Sequence, residues 1–148
     1  MKVEIPEDIK KWSFWLSSGI LGKEKIPLCP WAKKAILDGS VECFENETPE
    51  LLVPFPEGIK VRILLLDGKT LSQVTELRNT SNQKFKDWIF LDSHPEDEST
   101  IGGIKSTFKS PLLLIQPRKD LEDARKILER GNYYSYWDPD VLEEILSL

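Results

Sequence analysis

The sequence predicts one layered α/β or α+β domain over residues 1–148, with about four strands and helices packed on the sheet. Three observations carry this expectation. Short apolar runs at 41–45, 60–66, 88–91 and 112–115 alternate with stretches whose apolar residues recur at helical spacing. Apolar residues make up 40% of the chain and charged residues 30%, a balance that fills a core and excludes the weakly hydrophobic composition of disordered chains. No repeat, low-complexity tract or linker interrupts the 148 residues, a length at which about two thirds of the unfolded chain's surface can be buried.

Each element has its own signal. Pro6-Glu7-Asp8 ahead of Ile9, Trp12 and Leu16 places a proline and two acids in the first turn of a helix over 6–18, which Gly19 and Gly22 end. Pro30 suits the first position of a second helix, Lys33 and Lys34 its later turn, and Gly39 its stop, so Cys29 falls at or beside the N-cap. Val41–Glu45 alternates as a strand, and Thr48–Leu52 reads as a turn or two of helix limited by Pro54 and Pro56. Within 60–66, Ile63-Leu64-Leu65-Leu66 is apolar at every position, the mark of a strand buried on both faces, and Asp67-Gly68 closes it. Thr70 caps a helix over Leu71, Val74 and Leu77 that ends before Asn79-Thr80-Ser81-Asn82. Trp88–Leu91 is a third strand and Leu112–Ile115 a fourth. Asp120 caps a helix over Leu121, Ala124, Ile127 and Leu128 that stops at Gly131, and Asp138-Pro139 opens a last one.

The composition narrows the function classes. A net charge of −5 with scattered lysines argues against nucleic acid and anionic membrane as partners. Two cysteines and no basic-then-apolar leader point to free thiols in a reducing cytoplasm, and no apolar run approaches the roughly 18 residues of a membrane span.

Chemistry concentrates in a few places. Cys29, at the expected start of a helix, would feel the positive end of the helix dipole and unpaired amides, which lower a thiol's pKa; Trp31 beside it offers an apolar wall. The alternative is a buried packing cysteine. Cys29-Pro30-Trp31 resembles the start of a glutaredoxin-type site over four or five residues, with Ala32 where the second cysteine would stand. His94, the single imidazole, leaves the end of a strand next to Asp92 in a polar loop of some twenty residues, the place where α/β proteins commonly hold ligands. The carboxylates around it miss the spacing of a calcium loop, so no metal is expected. Gly102-Gly103-Ile104-Lys105-Ser106 fails as a phosphate loop because a strand follows instead of a helix, which leaves Lys105 and Ser106 as anion-binding candidates or as a plain hairpin-like loop. Tyr133-Tyr134-Ser135-Tyr136-Trp137 packs four aromatics into five residues, either as a cap on the core or, through Tyr134 and Trp137, as a binding patch.

With Leu28-Cys29-Pro30-Trp31-Ala32, His94-Pro95 and Ser110-Pro111 in this order, the chain resembles a bacterial family of small α/β proteins. Its members carry Leu-Cys-Pro-Phe-Ala, a later His-Pro and a Ser-Pro before a final apolar strand. The resemblance implies a shared fold over roughly 28–128 and a shared site, and brings no activity or cofactor with it. Two functions are open at this point. One is a binding or accessory protein with a small-molecule or partner-protein site near Cys29 and His94. The other is a thiol-dependent enzyme or redox protein with Cys29 as nucleophile and His94 as acid/base. The second requires Cys29 and His94 to converge, and the expectation is that Cys29, Trp31 and His94 line one common cavity with Asp92 on its titratable side.

Overall fold

Two runs without a polar residue form the middle of the sheet. In a computed structural model, which describes residues 1–21, 26–27, 29, 31–101, 103–129 and 139–148, β5 (Val61–Leu65) and β7 (Leu112–Pro117) pair antiparallel, with Leu64 opposite Leu113 and Leu65 opposite Leu112. Side chains alternate across a strand, so each run feeds two cores. Leu64, Leu66, Leu113 and Ile115 pack on one side with Leu52, Val74 and Phe90; Ile63 and Leu112 pack on the other with Ile9, Val41, Cys43 and Phe108. The expected two-sided burial is what the structure shows.

The sheet has five strands in the order β1 (Lys2–Val3), β4 (Val41–Glu45), β5, β7, β6 (Trp88–Ser93). Only β4 and β5 run parallel. One face carries α1 (Glu7–Leu16) and α2 (Ala32–Leu37), which pack on each other and place Ile9, Trp12, Ala35 and Ile36 against the sheet. The opposite face carries a 3-10 turn (Pro49–Leu52) and α3 (Leu71–Lys84). A small ladder of β2 (Gly19–Leu21) and β3 (Ile26–Pro27) lies in the chain between α1 and α2. Then α4 (Arg118–Glu129) follows β7, and α5 (Pro139–Ser147) ends the chain. None of the helices of the described residues is long and apolar enough to cross a membrane.

The departures from expectation have local causes. The sheet gains β1 beyond the four strands, and α2 starts at Ala32 with Trp31 as its N-cap, so Cys29 lies outside the cap. The largest difference is α3, which begins at the expected Thr70, in a capping box with Gln73, but runs through Asn79-Thr80-Ser81-Asn82 to Lys84. Asn82 explains this. Its side-chain amide donates to Phe90 O (2.9 Å) and accepts from Phe90 N (2.8 Å), pairing the outer edge of β6 as a neighbouring strand would. A residue with turn chemistry therefore serves as a buried lock between helix and sheet.

Candidate functional site

Cys29 sits where the end of α1 meets the approach to α2. Its amide donates to Leu16 O (2.8 Å) and its carbonyl accepts from Ser17 Oγ (2.8 Å), while Ser17 Oγ also accepts from the Lys33 amide (2.9 Å). The thiol is half-buried and free. Burial pushes it up from the ordinary thiol range, and the hydrogen bonds it accepts from the Trp31 and Ala32 amides only partly offset this. The amides expected to activate the sulfur are thus present, but desolvation outweighs them, which corrects the expectation of a lowered pKa. Cys43, fully buried on the same side of the sheet, is pushed up to about 11, again mainly by burial.

His94 follows the last residue of β6. Along β6, Phe90 and Asp92 point to α3, and Ser93 points to the α1–α2 face and accepts from the Phe108 amide (2.9 Å); past the strand end, His94 Nε2 meets Lys69 O, in the turn before α3, at 2.9 Å. Nδ1 accepts from the Glu96 amide at 3.1 Å. These two partners assign the neutral tautomer with the proton on Nε2 and leave neither ring nitrogen for a substrate. At 5% exposure, the side chain is a buried fastener for the start of the loop. The proposed acid/base role has no free nitrogen to work through, because both ring nitrogens are taken.

Asp92 is likewise committed. Its carboxylate takes Arg78 Nη1 (2.8 Å) and the Thr75 hydroxyl (3.3 Å), and Arg78, itself 7% exposed, also reaches Asn79 Oδ1 (3.0 Å) and Glu144 Oε1 of α5 (3.2 Å). The loop after it is pinned to the body of the protein. The Trp12 indole donates to Ser106 O (2.9 Å), Trp12 and Phe108 pack ring to ring, Lys109 pairs with Asp8, and Ile101 and Ile104 bridge across a turn in which Gly103 has φ of +81°. Lys105 reaches Pro95 O and Glu98, so the expected anion-binding cation is held by acceptors of its own loop. Tyr134 and Trp137 lie outside the described residues. Among the described residues no three His, Cys, Asp or Glu side chains converge as a metal site.

What stands open is the outer surface of α1 and α2. Ile9, Trp12 and Ser13 turn inward, which leaves Phe14 (37%), Trp15 (37%), Trp31 (38%) and Leu37 (67%) exposed. Lys33 Nζ stands 5.5 Å from the centre of the Phe14 ring, and Ser17, Lys33, Lys34, Leu37 and Asp38 line an open depression of about 450 Å³. Lysine is unusually dense in this part of the sequence. Residues 9–37 hold six lysines and one glutamate, a net +5 in a chain of −5, so all other residues together carry −10. Read as scattered pairs, the lysines hide this segregation. A second sequence signal is that Phe14 and Trp15 fall off the i, i+3, i+4 stripe that α1 buries, so part of their apolar area stays exposed. Comparison with protein-family models, curated proteins and solved structures returns no match.

Proposed function

We propose that this chain is a non-catalytic binding protein of the reducing cytoplasm that holds a partner protein on the α1–α2 face beside Cys29. The observation that carries the reading is the coincidence of four exposed apolar side chains with a stretch of net +5 in an acidic protein. Aromatic side chains at the centre of a patch with charges at its rim are the anatomy of an interface. Lys11, Lys33 and Lys34 would steer and orient, and Trp15, Trp31 and Phe14 would supply the area removed from water. The partner surface that complements this is a short apolar segment flanked by carboxylates. A nucleic acid or an anionic membrane would meet the same lysines, but also the −10 carried by the rest of the chain, which repels a polyanion larger than the patch. A small molecule would find only an open depression here, without the enclosure that buries most of a ligand's surface.

The test is an NMR titration with a synthetic acidic amphipathic helix built from Glu and Leu at helical spacing. Amide shifts confined to α1 and α2, and lost in K33E/K34E, support the proposal. Shifts spread over other elements, or none, overturn it, as does Cys29 reacting with a thiol reagent several pH units below an unperturbed cysteine, which would restore the thiol-enzyme reading.

A further inference from the structure

We infer that the acidic amphipathic segment received by the α1–α2 face is the C-terminal helix α5 of a second copy of this chain. The inference rests on the reading of α1–α2 as the binding face and names its occupant. Residues 139–148 hold three carboxylates, Asp140, Glu143 and Glu144, with no basic side chain, among Val141, Leu142, Ile145, Leu146 and Leu148. The helix fully buries none of its residues in its own chain, and Val141, Leu142, Ile145 and Leu148 are half-buried. One edge is tied in place, because Glu144 pairs with Arg78 at 3.2 Å and Ile145 O accepts from Arg125 at 3.3 Å. The other edge presents Asp140, Glu143 and Ser147 at helical spacing, with Leu146 45% exposed beside them.

That edge is the counterpart of α2, which presents Lys33, Lys34 and Leu37 in the same order of charge, charge, apolar. An α5 lying along the depression between Phe14 and Leu37 would set carboxylates against the two lysines and cover Leu37 with Leu146. The exposed Ile127 of α4 does not compete, since four basic and four acidic residues share that helix and give it no net preference for a basic face. The two patches differ, so the contact is heterologous. It propagates head to tail unless two copies exchange helices reciprocally.

Sedimentation velocity on the full chain, from micromolar concentration upward, tests the inference at two salt levels. The expected result is reversible self-association in about 0.01 M salt, where the Debye length is about 30 Å, and dissociation in about 1 M salt, where it is about 3 Å. K33E/K34E and D140K/E143K change exposed side chains only, so both should fold; each alone should associate at least about tenfold more weakly than the parent. A one-to-one mixture of the two should associate again, because each then supplies the charge the other has reversed. A parent that stays monomeric at low salt, variants that associate unchanged, or a mixture that does not recover overturns the inference. A monomeric parent that still binds the external Glu/Leu helix on α1 and α2 overturns this inference alone and leaves the proposed binding face standing; failure of both removes that reading too.

Discussion

Replacing Arg78 by alanine should be among the most damaging single changes in this chain, and the structure sets its size relative to its neighbours. Arg78 is 7% exposed and the side chain of Asp92 10%, so the 2.8 Å pair between them is screened little by water. Removing the guanidinium leaves the Asp92 carboxylate buried with only the Thr75 hydroxyl, an uncompensated charge whose cost is about 3–5 kcal/mol. Glu144, the second carboxylate on Arg78, is 53% exposed and belongs to the class of surface pairs that contribute about 0–1 kcal/mol. The ordering follows: Arg78→Ala costs several kcal/mol, Asp92→Asn less, because an amide oxygen still accepts from Arg78 and Glu144 still neutralises it, and Glu144→Gln under about 1 kcal/mol. For a chain of this length each kcal/mol lowers Tm by about 2–4 °C, so Arg78→Ala should lose roughly 6–20 °C. Urea unfolding followed by circular dichroism measures all three. An Arg78→Ala cost below about 1 kcal/mol, or a Glu144→Gln cost equal to it, would refute the assignment of Asp92 as the partner that matters.

The remaining predictions bear on the core, the thiols and the sheet edge. Leu64→Ala and Leu113→Ala, both at fully buried positions facing each other across β5 and β7, should each cost about 2–5 kcal/mol, read as a fall in the urea midpoint. Native Cys29 should react with a thiol reagent more slowly than an unfolded control at the same pH, because its thiolate is disfavoured by burial; faster reaction would contradict this. Cys43 prefers its protonated form when folded, so its contribution is fully present below the unfolded thiol value near 9 and is lost as pH rises toward about 11. In Cys43→Ala the fall in stability across that interval should be shallower, as urea midpoints at pH 8, 9 and 10 would report. Asn82→Ala leaves the buried amide and carbonyl of Phe90 without partners and should cost about 2–4 kcal/mol, with faster hydrogen exchange at Phe90.

The central strands are legible because burial on both faces removes every polar residue from Ile63 to Leu66 and from Leu112 to Ile115, a pattern that needs no partner to be recognised. Thr70 is legible for a different reason: capping is local, and the hydroxyl and Gln73 lie three residues apart. The extension of α3 past Asn79 is not local. Asn82 looks like a helix breaker until β6 lies beside it, when its amide satisfies a strand edge that the sequence cannot show to be bare. The first strand escapes for want of length, since two residues show no period.

The candidate site turns on parity. Cys29 and His94 each carry a real signal, a thiol beside amide donors and an imidazole leaving a strand, but burial outweighs the donors at the thiol and both ring nitrogens are taken. Whether they meet depends on which face each side chain takes. Asp92 opposite Leu113 points to α3 and Ser93 opposite Leu112 to α1, while the His94 ring is held by Lys69 O and the Glu96 amide. Moving the end of β6 by one residue would reverse both, and the sequence at 92–94, without a run of apolar alternation, does not fix that choice. The α1–α2 surface needs no such choice. Helical period alone excludes Phe14 and Trp15 from the stripe that holds Ile9, Trp12 and Ser13, and the six lysines between 9 and 37 are countable without coordinates. A face defined by residues off the buried stripe of one helix is therefore easier to derive from this sequence than a cavity that requires two distant elements to converge.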